Sequence, residues 1–158
     1  MKTEQLAEEL LQKLKARGRT LATAESCTGG GIGHLLTSIS GSSAVYLGGV
    51  ISYQNEVKER LLRVPAETLQ QYTAVSSETA KAMAEGCRAV LQADLAISVT
   101  GLAGPNSDDS GKPVGLVYVG ACNGTRTVVR ENHFSGDRED VRNQAIHAAI
   151  ALALELAE

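Results

Sequence analysis

Apolar and polar residues alternate along this chain with two different periods, and the period changes at glycine- and proline-rich points. In the first segment the apolar residues recur every three or four positions, which predicts a helix from Thr3 to about Arg17, capped by Thr3 and ended by Gly18. Its apolar stripe consists of Leu6, Leu10, Leu11 and Leu14. Helical spacing returns after Asp137, which we expect to cap the last helix.

Between these two helices the pattern predicts strands and short helices. In chain order they are a strand over 20–24, a helix after the glycines 29–31, a strand over 46–53, a helix over 56–62, a helical turn over 65–71, a helix over 76–92, and strands over 95–100, 115–122 and 125–134. Asn123-Gly124 is a two-residue hairpin signal, and the loop over 101–113 is long enough to suggest a functional role.

The order αβαβααβββα determines the expected fold class. Helices that alternate with strands predict an α/β fold, and the terminal hairpin makes the sheet mixed rather than purely parallel. We therefore expect one domain over residues 1–158, with three layers (α/β/α), a mixed sheet of about five strands and helices on both faces.

Composition excludes several classes of protein. The chain has 158 residues, is 43% apolar and carries 15 basic against 18 acidic residues, which argues against a nucleic-acid partner or a polybasic membrane surface. Three widely separated cysteines predict no disulfide framework and suit a reducing, cytoplasmic compartment. The chain shows no signal-peptide pattern and no apolar run of about 18 residues, so we expect no membrane span.

Common nucleotide and metal motifs do not match. The glycines of 29–33 do not fit GxGxxG, and the segment 104–112 fails as a P-loop because Lys112 is followed by Pro113. The three histidines share no ligand spacing, so we expect no metal site.

The segment from Thr23 to Gly30 is the first candidate site. Its polar residues lie where a strand ends and a helix begins, so unpaired backbone N–H groups and the positive end of the helix dipole suit an oxyanion or a phosphate. A plain helix cap with close packing at the glycines is an equal alternative. Cys27 offers a thiol nucleophile, or a small buried side chain.

The second candidate segment, Ser52 to Lys58, follows a predicted strand. It contains Tyr53 and Asn55, and Lys58 lies one helical turn further on. A lysine buried beside a hydroxyl can lose its proton and act as a base, whereas the local sequence alone favours a solvated surface residue.

Two further segments complete the candidates. The glycine-rich turn from Thr100 to Pro105 leaves the most apolar strand, where α/β sheets bind ligands, although a plain turn fits as well. Arg138 and Arg142 lie four residues apart near a helix start, which suits a phosphate or carboxylate clamp or a solvated surface. Ser42 and Ser43 are alternative nucleophiles, phosphate ligands or capping residues.

These segments together resemble one family. AESCTGG, GSSAVYLGGVISYQNEVK, AVSSETA, SVTGLAGP with KPVGLVYV, and HFSGDRxxVR are similar in order and spacing to the C-terminal domain of the competence/damage-inducible CinA proteins. The resemblance spans about Glu4 to Leu156. The larger family members carry an additional N-terminal domain, so we expect the stand-alone form, an amidohydrolase of nicotinamide mononucleotide.

The resemblance implies hydrolysis of the mononucleotide carboxamide to nicotinic acid mononucleotide and ammonia, without cofactor or metal. The implied nucleophile is Ser26 and the implied base Lys58, with Tyr53 to orient it or relay a proton. Arg138 and Arg142 are the phosphate candidates. The candidate oxyanion and substrate-binding residues are Glu25, Thr28, Gly29, Gly30, Ser42, Ser43, Asn55, Thr100, Gly101 and Gly104.

The resemblance also implies a homo-oligomer and a small-molecule nucleotide as the partner. Two other classes of function stay open. One is a non-catalytic nucleotide-binding or regulatory domain that retains the pocket. The other is a different amidase or a Cys27 thiol hydrolase.

Overall fold

The computed structural model describes residues 1–157, which build one five-stranded sheet between two layers of helices. The helices are α1 (Thr3–Ala16), α2 (Gly31–Thr37), α3 (Asn55–Leu62), α4 (Ala66–Tyr72), α5 (Ser77–Leu91) and α6 (Arg138–Leu156), with a 3₁₀ turn at Ser42–Ala44. The strands are β1 (Leu21–Glu25), β2 (Tyr46–Ile51), β3 (Leu95–Gly101), β4 (Leu116–Cys122) and β5 (Thr127–His133).

The sheet has the strand order β2-β1-β3-β4-β5. Strands β2, β1 and β3 are parallel, whereas β4 and β5 are antiparallel to their neighbours, so the expected mixed three-layer α/β/α fold is confirmed. Because β1, β2 and β3 point the same way, the segments that follow them meet at one edge of the sheet. This edge holds the candidate residues after β1, β2 and β3.

Each face of the sheet is covered by its own set of helices. On one face α1, α2 and α6 bury a cluster that includes Leu10, Leu14, Ile32 and Ile150. On the other face α5 packs across all five strands and also contacts α3 and α4, and this smaller cluster includes Met83. β1 and β3 are buried along their length because both faces are covered, which explains their continuous apolar pattern.

Local predictions were corrected at three points. Residues 66–72 form a full helix, so three helices rather than two separate β2 from β3. Lys2 rather than Thr3 precedes α1, and Gln5 accepts a hydrogen bond from the Lys2 N–H. The hairpin between β4 and β5 has four loop residues rather than the expected two. In this loop the Asn123 side chain accepts hydrogen bonds from the N–H groups of Thr125 and Arg126.

Candidate active site

The candidate site lies where β1, β2 and β3 end. Ser26 directly follows β1, and its N–H donates to the Val99 carbonyl of β3 at 3.1 Å, which fixes the serine backbone to the neighbouring strand. Lys58 lies in the first turns of α3, three residues after the Asn55 that starts the helix after β2. The parallel strand order therefore brings together two side chains that are 32 positions apart in the sequence.

Lys58 and Ser26 form the central contact of the site. Lys58 Nζ lies 3.0 Å from Ser26 Oγ, and it donates to the carbonyls of Ser52 at 2.6 Å and Tyr53 at 3.3 Å. Only 1% of the Lys58 side chain is exposed. In residues 1–157 no carboxylate forms an ion pair with this lysine. Burial therefore lowers the pKa of Lys58 to about 8.

This geometry suits proton transfer from the serine to the lysine. A neutral amine has two N–H donors and one lone pair. The carbonyls of Ser52 and Tyr53 accept the two N–H groups, which leaves the lone pair free to face Ser26 Oγ. A serine hydroxyl beside a neutral base is the arrangement that generates an oxygen nucleophile.

The loop after Ser26 is held by internal contacts. The buried Glu25 carboxylate accepts hydrogen bonds from Thr28 Oγ1 at 2.6 Å and from the N–H groups of Ile32 at 2.9 Å and Gly33 at 3.0 Å. Glu25 thereby occupies donors at the start of α2, where a negative charge is favourable. The sequence analysis made Glu25 a candidate oxyanion or substrate-binding residue, whereas both of its carboxylate oxygens accept hydrogen bonds within the loop.

Cys27 is buried beside Ser26, and its side chain is a protonated thiol rather than the reactive thiolate. Burial raises the pKa of its thiol to about 11, in spite of the nearby Lys58 and Arg142 cations. Since the thiolate is the reactive form, this environment argues against the thiol-hydrolase alternative.

A cavity of about 250 Å³ opens in front of the Ser26–Lys58 pair. The turn after β3 forms one wall, so Thr100, Gly101 and Gly104 lie at the cavity as the sequence suggested. Thr100 Oγ1 itself donates to the Ala74 carbonyl at 2.7 Å. The remaining lining residues are Cys27, Tyr53, Ala74, Val75, Leu102, Ala103, Asn106, Ser107, Asp108 and Arg138.

Tyr53 and the two arginines lie around this cavity in different roles. The Tyr53 carbonyl accepts from Lys58, whereas its hydroxyl lies 3.4 Å from Arg138 Nη2 and its ring is 58% exposed. Arg138 Nη1 donates to the Gly104 carbonyl at 2.6 Å. Arg142 donates to the carbonyls of Cys27 and Thr28 in the loop after Ser26. Both arginines also line a cleft of about 700 Å³ between α1, α2 and α6.

Other candidates lie outside the cavity. Ser42 and Ser43 precede β2 and therefore lie at the opposite edge of the parallel strands from Lys58. Asn55 is exposed at the start of α3. Gly29 and Gly30 have positive φ values of 58° and 99°, so they serve the loop conformation.

The sequence did not point to several contributors. The carbonyls of Ser52 and Tyr53 orient Lys58, and backbone carbonyls have no residue-type signature. Asn106, Ser107 and Asp108 enter the cavity from the long loop after β3. The length of that loop was the only signal. Within residues 1–157, no group of three or more His, Cys, Asp or Glu residues could hold a metal ion.

The profile of the CinA C-terminal domain matches residues 3–157 of this chain. The chain belongs to the CinA family. A CinA-like protein of Synechococcus sp. strain RCC307 is 55% identical over 115 residues, which are 73% of this chain and 28% of that protein. A competence-damage inducible protein of Desulforamulus reducens is 47% identical over 150 residues, 95% of this chain and 36% of that protein. The chain thus spans about a third of the length of these curated CinA relatives.

Solved CinA structures match the whole fold. The competence damage-inducible protein A of Klebsiella pneumoniae has a TM-score of 0.95 at 37% identity and covers 98% of this chain and 96% of that chain. The competence or damage-inducible protein of Enterobacter asburiae has a TM-score of 0.96 at 36% identity, with coverage of 100% and 99%. These names describe competence and damage induction and state no reaction.

Proposed function

We propose that this CinA chain hydrolyses the carboxamide of nicotinamide mononucleotide to nicotinic acid mononucleotide and ammonia. Ser26 is the nucleophile and Lys58 the general base. The observation that carries the proposal is the 3.0 Å contact between Lys58 Nζ and Ser26 Oγ, in a site where burial lowers the lysine pKa to about 8. The substrate class comes from the family resemblance.

The first half of the reaction forms an acyl-enzyme. Ser26 Oγ attacks the carboxamide carbon while neutral Lys58 takes the hydroxyl proton, and the oxyanion is held by backbone N–H groups of the loop after Ser26. When the C–N bond breaks, protonated Lys58 gives its proton to the leaving nitrogen, which departs as ammonia.

The second half releases the acid. Water attacks the acyl carbon and Lys58 accepts a proton from it, and the C–O bond to Ser26 then breaks as Lys58 returns that proton to Ser26 Oγ. One water is consumed for each ammonia released, so atoms and charge balance. In this scheme all proton transfers pass through the Lys58 amine.

Arg138 is our candidate for the substrate phosphate. It is exposed at the cavity rim, where its guanidinium contacts the Gly104 carbonyl and the Tyr53 hydroxyl and retains further donors. A planar guanidinium beside a cavity is suited to a phosphate.

Ammonia release from nicotinamide mononucleotide, measured without added metal, tests the proposal. We expect Ser26→Ala to lower kcat by about 10⁴-fold or more, and Lys58→Ala by about 10²- to 10⁴-fold. Lys81→Ala, which removes an exposed lysine of α5, serves as the matched control. Ser42→Ala examines the competing nucleophile, and loss of turnover in this variant alone would contradict the assignment of Ser26.

The same assay addresses the non-catalytic alternative. Calorimetry with the mononucleotide reports binding independently of turnover. A wild-type chain that binds the mononucleotide and releases no ammonia is a binding domain, and the proposed reaction is then wrong. Full turnover in Lys58→Ala would overturn the role of the base while leaving the reaction intact.

A further inference from the structure

The Arg142 guanidinium hydrogen-bonds to the loop that follows the candidate nucleophile Ser26. Its Nε donates to the Cys27 carbonyl at 3.1 Å, and its Nη2 donates to the Thr28 carbonyl at 3.0 Å. The guanidinium comes from the second turn of α6, which is 19 residues long and begins with a capping box at Asp137. A side chain on a long packed helix therefore holds two consecutive carbonyls of the loop.

These contacts fix the direction of the N–H groups in the loop. In a planar trans peptide the carbonyl and the N–H of one unit point in opposite directions. The Cys27 carbonyl points to Arg142, so the Thr28 N–H points away from it. The Thr28 carbonyl also points to Arg142, which orients the Gly29 N–H, and this N–H donates to the Ser26 carbonyl at 3.0 Å.

The hydrogen bond from the Gly29 N–H also fixes the peptide unit between Ser26 and Cys27. Because the Ser26 carbonyl is held by the Gly29 N–H, the Cys27 N–H of the same peptide unit points the opposite way. Within residues 1–157, the N–H groups of Cys27 and Thr28 donate to no backbone carbonyl. Arg142 thus holds two successive peptide planes directly and a third through Gly29, and the two N–H groups that follow Ser26 in the chain have no backbone partner.

Gly29 is adapted to this arrangement. Its φ of 58° lies in the left-handed region, and a Cβ at this position would lie 3.3 Å from Arg142 Nη2. Both observations explain a glycine in the loop: it permits the turn and the close approach of the guanidinium.

We infer that Arg142 is a positioning residue, which orients the N–H groups of Cys27 and Thr28 toward the oxyanion that forms at the substrate carbonyl. The inference rests on the proposed function, and it replaces the sequence-based expectation that Arg142 binds the phosphate. A fixed pair of N–H donors stabilises the transition state more than the bound substrate, so its loss lowers kcat and leaves binding nearly unchanged.

The experiment separates these two roles of Arg142. Arg142→Ala should lower kcat for the mononucleotide by about 10²-fold, the usual cost of losing an oxyanion donor. Its Kd for the mononucleotide, measured by calorimetry in the inactive Ser26→Ala background, should change by less than about threefold. Arg142→Lys, which keeps the charge and loses the two-pronged contact, should show an intermediate kcat.

A serine-reactive fluorophosphonate gives a readout that needs no substrate. Ser26 Oγ bonds to phosphorus, the fluoride leaves and Lys58 takes the proton, so the labelling rate reports the same oxyanion donors. We expect Arg142→Ala to slow this labelling about 10-fold or more. Arg126→Ala removes an exposed arginine at the far hairpin and is the matched control. Urea unfolding verifies that each variant is folded.

Each outcome decides the inference. A Kd weakened about 10-fold or more, with kcat and labelling retained, would make Arg142 a phosphate ligand and overturn the inference. If the wild type releases no ammonia, the proposed function is wrong, but slower labelling of Arg142→Ala still supports the positioning role. Unchanged labelling in that variant contradicts it, as does a wild-type Ser26 that the probe does not label.

Discussion

At the scale of single residues, the site depends on one lysine whose charge is destabilised by its surroundings. Lys58 is almost fully buried and faces one hydroxyl and two carbonyls but no ion-pair partner among residues 1–157. Desolvation disfavours the ammonium form, whereas the neutral amine can still donate its two N–H groups to the carbonyls of Ser52 and Tyr53. The same burial that makes Lys58 costly for stability makes it available as a base.

The pH dependence of the reaction follows from this lysine. With a Lys58 pKa of about 8, the neutral amine fraction rises tenfold per pH unit below pH 8 and levels off above it. We expect kcat/KM for the mononucleotide to rise with a slope of one up to about pH 8 and then to level off. Steady-state ammonia release from pH 6 to 10 measures this profile. A flat profile over this range would contradict Lys58 as the base.

At the scale of helices and strands, the position of Lys58 is set by how α3 meets α5. The C-terminal end of α3 lies directly on α5 at Gly86, where an added Cβ would overlap the Leu62 carbonyl. A backbone carbonyl cannot move away without shifting α3. The absence of a side chain at Gly86 therefore lets α3 pack close enough to bury Lys58.

This close contact makes Gly86→Ala informative. Helix propensity alone would stabilise the variant by about 1 kcal/mol, because alanine is the better helix former. The overlap with the Leu62 carbonyl opposes this gain, and overpacking costs about 1–3 kcal/mol. We expect net destabilisation in urea unfolding and a lower kcat. Val90→Ala, an exposed site on the same helix, should stay within about 0.5 kcal/mol, and a stabilised Gly86→Ala would refute the argument.

The sequence predicted the elements far better than the contacts between them. Periodicity located β1, β3 and the start of α6 to within one or two residues, because burial on a sheet face leaves a regular apolar pattern. The burial of Lys58 has no such signature, since it depends on Gly86 of a helix 28 positions away. Local sequence favoured a surface lysine, and only the family resemblance marked it as a base. Arg142 was assigned to phosphate because it lies four residues from Arg138 near a helix start. Its partners in the structure are backbone carbonyls, which have no residue-type signature in the sequence.

At the scale of the whole molecule, two expectations stay predictions: the homo-oligomer and the cytoplasmic location. The long helix α6 packs on the sheet and buries most of its apolar residues there. Among the described residues, the edge strand β2 leaves Leu47 and Ile51 exposed by 48% and 55%. Among residues 1–157, none of the helices combines the length and the hydropathy that a membrane span requires.

The free energy of unfolding should depend on pH because folding lowers the pKa of Lys58. In the unfolded chain Lys58 titrates near its ordinary value of 10.5, whereas in the folded chain it titrates near 8. Between these values the unfolded chain binds more protons, so the free energy of unfolding rises with pH across this window. Below pH 8 both states are protonated and the full penalty for burying the ammonium is present. Above pH 10.5 both are neutral and that penalty is gone.

Lys58→Met isolates this effect, because methionine fills similar space and does not titrate. Relative to this variant, wild-type stability should rise by up to about 3 kcal/mol between pH 7 and pH 10.5, the value of the pKa difference converted to free energy. Urea unfolding of both proteins at pH 7, 8, 9 and 10 measures it, and the comparison cancels titrations common to both. Parallel stability curves would mean that Lys58 keeps its ordinary pKa, and the lysine could then not serve as the base near neutral pH.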